Sequence, residues 1–500
     1  MKEVTKKTKQ LSIQHPTRSF TMLVIVLSAV VAMLLCAWIG LRQSMWFDES
    51  YSVLIAKQPL AELIRLTALD THPPLYYLTL KAWGGLFGWS EFALRSLSIL
   101  AYGGSIVFAG LLMRRLFDNR VAVVSVLFLM FAPLLVRYGF EVRMYALGSL
   151  IGIAATYVMI RARRLESSRK SILWICYAVL VALGTLTLYY SVLLWIAHLV
   201  WLWIVDKPSV RGIFKMPWIW AYTGAVVLFA PWMAVFISQM GNGALASIGQ
   251  PMTFEQLAGI VSFNFLYKPL WQVNVLDTIA LVFIMALSGY LILRAFRESR
   301  HRPGLLLLAC YIVVPIAILM AVSIVRPMYV ERYLAHVAIG LILLVAASVE
   351  IVALRMRTRS GRLMAGSLLV LLLVGWMNLG AVGNYNFQRL QKPQLADVRP
   401  ILNECSDGAT IVAADPYVAT ELSYYAPSDC HIRFYSDTKE LKGGYAPWSE
   451  SPDRVDNPLP PLAPVLHYAY YDDPKLQVDT SYHLVTSREF GALRVAEYHR

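Results

Sequence analysis

Long apolar stretches recur from Phe20 to Val382, and nothing else in the 500 residues restricts the fold as strongly. About 20 consecutive apolar residues in a helix cross the roughly 30 Å of a bilayer's hydrocarbon. Eleven stretches qualify as candidate spans: Phe20 to Leu41, Phe92 to Met113, Val121 to Val136, Met144 to Ile160, Ile172 to Tyr189, Ser191 to Val205, Trp218 to Ser238, Val273 to Leu293, Leu305 to Val325, Tyr333 to Leu354 and Leu363 to Val382. Only 15% of residues are charged, against about 25% in soluble domains, and the mean hydropathy is +0.55. The expected fold is an α-helical polytopic membrane protein. The first run is too long for a removable signal peptide and no small-residue cleavage site follows it, so a retained signal anchor is expected.

Basic residues set the expected orientation. With a cytoplasmic N-terminus, the tail at 1–19 and the loops at 114–120, 161–170, 206–217, 294–302 and 355–362 carry 24 Lys and Arg. The opposite side, before residue 384, carries 10 in longer loops. The positive-inside rule then places the first loop, residues 42–91, and the C-terminus outside, in a cell (plasma) membrane. Residues 384–500 carry a net charge of −5, so the membrane part carries +19 and the whole chain a formal +14. The basic excess lies in short topology-setting loops, which excludes nucleic acid as the partner it serves.

Three units follow: a tail at 1–19, a membrane domain at 20–383 and a soluble domain at 384–500. In the last, "ATIVAADPYVATELSYYAP" reads as strand, turn and short helix, and "HIRFYSD" as a second strand, the makings of a small α/β module. The segment "SPDRVDNPLPPLAP" reads as proline-rich loop. Cys36, Cys176 and Cys310 lie in apolar runs, whereas Cys405 and Cys430 share the soluble domain and are candidates for a disulfide.

The first loop is far longer than a connection needs to be. Within it "PLAELIRLTALD" places Leu60, Leu63, Ile64, Thr67 and Ala68 on one helix face, as in a helix lying on the membrane surface. "THPPLYYLTLKAWGGLFGW" is apolar but interrupted by Pro73, Pro74, Gly84 and Gly85, which suggests re-entry into the interface without crossing.

Asp48 and Glu49, in "SMWFDESYSV", stand a few residues beyond the first span. Acidic pairs at such positions commonly cap helices. The same side of the membrane also gathers Arg95 in "EFALRSLSIL", Glu141 and Arg143 in "YGFEVRMYAL", and Arg326, Glu331, Arg332 and His336 in "RPMYVERYLAHV", the last two four apart on one helix face. Singly, each is explained as a snorkelling anchor. Together, carboxylates and arginines at membrane depth suit a substrate with an anionic phosphate and a hydroxyl to deprotonate. No GxxxxGK[ST] loop and no GxGxxG after a strand is present, so no nucleotide site is expected. An energised donor outside a membrane is then a sugar carried on a lipid phosphate.

In order and in side of the membrane, "WFDESYS", "THPPLYYLTLKAW", "ALRSLSIL", "EVRMYAL" and "ERYLA" resemble the integral-membrane GT-C glycosyltransferases, closest to the branch that includes protein O-mannosyltransferases and the aminoarabinose transferase acting on lipid A. The resemblance spans about residues 20–340. It implies a polyprenyl-phosphate sugar donor, transfer on the external face with inversion, Asp48 as catalytic base with Glu49 as second member of the pair, and Arg95, Arg332 and Arg143 as phosphate contacts. Tyr76 and Tyr145, inside these motifs, are further candidates, as are Glu141, Arg326 and Glu331. The aminoarabinose branch has a phosphate-facing lysine where this chain has His72, so that contact and the acceptor (protein, lipid or envelope glycan) stay open. No cofactor is required; a divalent metal on Asp70, His72 and Glu141 is conceivable but lacks a ligand-spacing signature. A transporter for lipid-linked glycans, or a block polymerase or ligase, is the alternative class. The former calls for midplane charges and paired broken helices, and none is visible.

Overall fold

The computed structural model describes residues 16–165, 170–209, 211–241, 251–354, 358–382, 392–438, 441, 445, 448–449, 451–459, 462–471 and 474–500. The expected domain boundary at 383/384 and most of the expected tail at 1–19 lie outside them. Helices α1 (Arg18–Gly40), α5 (Glu91–Leu116), α8 (Tyr145–Arg164), α9 (Lys170–Thr187), α11 (Pro217–Gly241), α13 (Val275–Glu298), α14 (Arg302–Ser323) and α16 (Arg359–Val382), with the segment Glu331–Leu354, are the nine that are long and apolar enough to cross a membrane among the described residues.

One expected span forms from two pieces, and another is a single short helix. Val121 to Val136 is divided into α6 (Asn119–Leu129) and α7 (Pro133–Tyr138). Pro133 cannot donate to a carbonyl one turn back and instead opens a new helix. Helix α10 (Ser191–Asp206) has 16 residues and α12 (Phe254–Phe265) has 12, about 24 and 18 Å at 1.5 Å per residue.

Glu331–Leu354 is the centre of the bundle. It comprises a 3₁₀ turn (Glu331–Leu334), helix α15 (Ala335–Ser348) and a π-helical turn (Val349–Leu354), and 89% of its apolar window is buried. A helix that is apolar all round is stable only when surrounded. Peripheral helices instead leave large apolar side chains exposed, such as Leu23, Val26, Leu27 and Leu34 of α1 and Val275, Leu276 and Ile279 of α13. Helix ends are set by local chemistry: Ser90 caps α5 through the Ala93 N–H at 3.3 Å, and Arg114 and Arg115 complement its C-terminal dipole.

Residues 42–91 form three helices, α2 (Phe47–Lys57), α3 (Leu60–Leu69) and α4 (Leu75–Phe87). Two expectations need correction. The buried face of α3 is Leu63, Leu66 and Thr67, while Leu60 is exposed. It docks against α11, whose Gln239 donates from Nε2 to the Thr67 carbonyl at 2.9 Å. In α4 the glycine pair does not interrupt the helix, because Gly84 gives Trp89 room to lie against the backbone, its ring 2.8 Å from where a Cβ would stand. With 13 residues, about 20 Å long, α4 is too short to cross.

The soluble region holds a six-stranded sheet in the order β3-β2-β1-β4-β6-β5, built from β1 (Thr410–Ala413), β2 (Arg433–Tyr435), β3 (Arg454–Val455), β4 (Val465–Tyr470), β5 (His483–Phe490) and β6 (Leu493–His499). The first four are mutually parallel, and β6 is antiparallel to both its neighbours, β4 and β5. A short helix α17 (Arg399–Asn403) precedes β1, and helix α18 (Pro416–Tyr425) makes the crossover to β2. The segment read as proline-rich loop contains β3 at the sheet edge. Cys405 and Cys430 form a disulfide with a Cα–Cα distance of 5.6 Å.

α14 and α15 approach so closely that a Cβ on Gly340 would stand 2.6 Å from the Tyr311 Cβ. Gly340→Ala is expected to destabilise the protein by about 1–3 kcal/mol, read as a lower unfolding temperature of the purified protein.

Candidate functional site

Four segments meet at one end of the bundle: the start of α2, residues 70–74, the turn 139–144 and the 3₁₀ turn 331–334. Arg95, on the first turns of α5 and 1% exposed, ties the first of these to the end of α1 and, through Glu49, to the turn 139–144. Its Nε and Nη2 donate to the two Glu49 carboxylate oxygens at 2.9 and 2.8 Å, a bidentate pair. Nη1 donates to the carbonyls of Gly40 and Gln43 at 2.5 and 2.7 Å, and Nη2 to that of Ser44 at 3.1 Å. Glu49 also accepts from the Val142 N–H at 3.2 Å, bringing in the turn before α8. Glu91, at 3.5 Å, adds a second carboxylate. Every donor of Arg95 is thus engaged by protein, and the expected contact with a donor phosphate is not what this geometry offers.

Asp48, the preceding residue on α2, has a different environment. Its Oδ2 faces Arg143 Nε at 3.9 Å and Arg332 Nη1 at 3.7 Å. Both exceed hydrogen-bond length. Asp48 Oδ2, Arg143 Nε and Arg332 Nε are buried without a hydrogen-bond partner among the described residues. The pair caps no helix: Trp46 is the N-cap, without a side-chain cap bond, and the acidic residues occupy the first turn.

Arg143 is positioned by Ser52, whose Oγ accepts from Nη1 at 3.2 Å and donates to the Asp48 carbonyl at 2.8 Å, and by His72, whose Nε2 is 3.4 Å from Nη2. Tyr333 OH also lies 3.2 Å from His72 Nε2, while Nδ1 faces Asp70 Oδ2 at 3.2 Å. With two donors at Nε2 and a carboxylate at Nδ1, the tautomer assigned is Nδ1–H. Burial, and the nearby Arg143, hold the His72 pKa below 6.5 against the pull of Asp70. His72 therefore orients Arg143 from behind and does not present a charge to a ligand.

Glu141 accepts from Arg137 Nη2 at 3.3 Å, and burial raises its carboxyl pKa against the opposing pull of Arg137. The Arg137 guanidinium lies 5.9 Å from the Trp46 ring centroid. Tyr145 sits 5.0 Å from Tyr138 and 6.0 Å from Tyr333 between ring centroids, within electrostatic reach of Arg332, Arg143 and Asp48. Tyr76 is fully buried beside Tyr77. Glu331 opens the turn carrying Arg332, within reach of Tyr138. Arg326 instead donates to the Met240 carbonyl at 2.9 Å and does not join the cluster. Nor do Arg332 and His336 share a helix face: the backbone passes from 3₁₀ to α at Ala335, and the buried His336 Nε2 has no hydrogen-bond partner among the described residues. Asp70, His72 and Glu141 do not converge as metal ligands, since the first two pair with each other and the third turns to Arg137. Among the described residues no three His, Cys, Asp or Glu side chains are placed to hold a metal ion.

The C-terminal sheet region reaches this site. Glu421 Oε1 accepts from the Phe47 N–H at 2.9 Å, and Tyr425 OH accepts from the Met45 N–H at 2.6 Å, so α18 satisfies donors that α2 leaves unpaired at its start. Gln394 Nε2 donates to the Arg42 carbonyl at 2.6 Å, and the Phe47 and Tyr417 rings stack at 4.5 Å. Glu421 was invisible from sequence. The one signal was spacing: Tyr417, Glu421 and Tyr425 recur every fourth residue along one face of α18.

Arg95→Ala leaves the Glu49 carboxylate buried and uncompensated, which is expected to cost about 3–5 kcal/mol and appear as poor yield and a depressed unfolding temperature. Arg332→Ala, whose side chain is 22% exposed, should leave the unfolding temperature near that of the parent protein. Glu421→Ala is expected to cost about 1–3 kcal/mol by stranding the Phe47 N–H, with Glu421→Gln, which keeps an acceptor, milder in the same thermal assay. Because His72 stays neutral in the fold below 6.5 while the unfolded chain takes up its proton there, stability should fall as pH drops through about 6.5, by up to about 1.4 kcal/mol per unit. His72→Gln should flatten that part of the stability–pH curve.

Residues 71–235 match the family of dolichyl-phosphate-mannose-protein mannosyltransferases. The fold is similar to that of ArnT from Cupriavidus metallidurans bound to undecaprenyl phosphate, with a TM-score of 0.61, 14% identity, and coverage of 95% of this chain and 97% of that one. The apo structure of the same ArnT gives a TM-score of 0.63 at the same identity and coverage. No curated protein sequence matches the chain. The chain is thus similar to dolichyl-phosphate-mannose-protein mannosyltransferases over residues 71–235, and it shares the fold of ArnT over nearly its whole length.

Proposed function

We propose that the protein transfers a sugar from a polyprenyl-phosphate donor to an acceptor hydroxyl at the extracytoplasmic face of a cell membrane, inverting the anomeric centre, with Asp48 as general base. The observation that carries this reading is Asp48 Oδ2 between Arg143 and Arg332 at 3.9 and 3.7 Å, with no hydrogen bond formed. An Arg pair at that spacing suits a phosphate with its sugar over the carboxylate. The ArnT structure holding undecaprenyl phosphate supports a lipid-linked donor.

In the reaction Asp48 Oδ2 takes the proton of the acceptor hydroxyl as its oxygen attacks the anomeric carbon from the face opposite the phosphate. The bond from that carbon to the phosphate oxygen breaks, and the polyprenyl phosphate leaves with the electron pair. Arg143 and Arg332 meet the charge that grows on the leaving phosphate. Once they engage phosphate, Asp48 Oδ2 is released toward the acceptor. Glu49 does no chemistry in this scheme; held by Arg95, it fixes the first turn of α2. The excess of basic residues in the loops opposite this site, 24 against 10, supports the extracytoplasmic placement, as does a disulfide in the attached domain.

Asp48→Asn is expected to abolish transfer from a labelled polyprenyl-phosphate monosaccharide while donor binding persists; near-parental turnover removes Asp48 as base. Arg143→Ala and Arg332→Ala should each weaken donor binding by about tenfold or more, the loss of one charge-assisted contact of 1.5–3 kcal/mol. In the same assay, donor crossing vesicles with no product formed would favour transport, and movement of whole glycan blocks a ligase.

A further inference from the structure

The soluble domain contains a cavity of about 500 Å³, within the roughly 300–1,000 Å³ of small-molecule sites. It opens at the C-terminal ends of β1 and β2 and is lined by Asp415, Tyr417, Tyr435, Asp437, Tyr445 and Lys475, among others. β1 has parallel neighbours on both sides, β2 reached through α18 and β4 on the other flank. Connections therefore diverge at the end of β1, the place where open parallel sheets leave a crevice for ligands.

The lining chemistry narrows the occupant. Lys475 pairs with Asp415 Oδ2 at 3.2 Å, so the cation there is already balanced. Asp415 Oδ1 accepts from the Val418 N–H at 3.0 Å and fills the start of α18 with a carboxylate, where a phosphate would otherwise bind. What remains is the Asp437 carboxylate and three tyrosine rings, beside the Ser436 hydroxyl, which donates to the Thr438 carbonyl at 3.1 Å and keeps its oxygen as an acceptor. Acceptor oxygens beside aromatic faces match a ligand with many hydroxyl donors and apolar C–H faces. They do not match an anion.

The cavity also adjoins the site above. Tyr417 stacks on Phe47 at 4.5 Å and 9° between planes, and Tyr445 lies 5.3 Å from the same ring. Phe47 immediately precedes Asp48, and the Tyr445 hydroxyl is within electrostatic reach of both Asp415 and Asp48. One aromatic layer thus separates the cavity from Asp48.

We infer that this cavity binds a neutral, hydroxyl-rich glycan, and that this glycan is the acceptor or the part of the acceptor held while a terminal hydroxyl reaches Asp48. Its role as acceptor rests on the transferase reading; its binding does not. The full-length protein in nanodiscs can be titrated with mannotriose, maltotriose and cellotriose, and with trigalacturonate as the acidic counterpart, by saturation-transfer NMR. At least one neutral trisaccharide should bind, about tenfold more weakly in Asp437→Ala and in Tyr435→Ala at unchanged unfolding temperature for the exposed Asp437 variant, and trigalacturonate should not. Absence of neutral trisaccharide binding, binding indifferent to both substitutions, or preference for trigalacturonate would overturn the inference. Asp48→Asn separates the two readings: it should bind the trisaccharide as the parent does, and transfer persisting in it would remove the proposed base without touching the cavity's ligand.

Discussion

The Arg95–Glu49 pair is the constraint on which the site depends. Both side chains are about 1% exposed, and two charges withdrawn from water are stable together only if nearly all their hydrogen-bonding capacity is used. Here it is used by three carbonyls at and just beyond the end of α1, by the Val142 N–H and by the bidentate contact itself. Because those partners come from α1, α2, α5 and the turn before α8, satisfying one ion pair fixes how four segments meet.

That fixation gives two adjacent carboxylates opposite fates. Neighbouring helix residues point about 100° apart, so once Glu49 is turned to Arg95, Asp48 is aimed at Arg143 and Arg332. One carboxylate is saturated and the other faces cations at distances too long for hydrogen bonds. The same helix start is held from the other side by Glu421 and Tyr425. The C-terminal sheet region is thereby part of the structure of the site, and a shift of α18 would be felt at Asp48 through its backbone.

The helical class, the long first loop with its short helices and the strand–helix–strand of the soluble region were legible because each follows from periodicity and local breakers. So was the grouping of Asp48, Arg143 and Arg332, since side of the membrane and span order limit which residues can meet. Arg95 and Arg332 could not be told apart: both are arginines at span ends, and only the carbonyls around one of them make it a clamp. His72 read as a candidate phosphate contact, yet Asp70 and Tyr333 turn it inward behind Arg143. Glu421 lay beyond reach, being 374 positions from the N–H it accepts.

Sequence alone determined that the chain crosses a membrane many times, and which acidic and basic groups collect at one side of it. Burial of hydrocarbon and the placement of charge in loops depend on local composition, and composition is written along the chain. Tertiary structure decided which of those charges are consumed in holding the fold and which are left facing one another. That division depends on hydrogen-bond partners hundreds of residues away, whose approach is set by packing and by no local pattern.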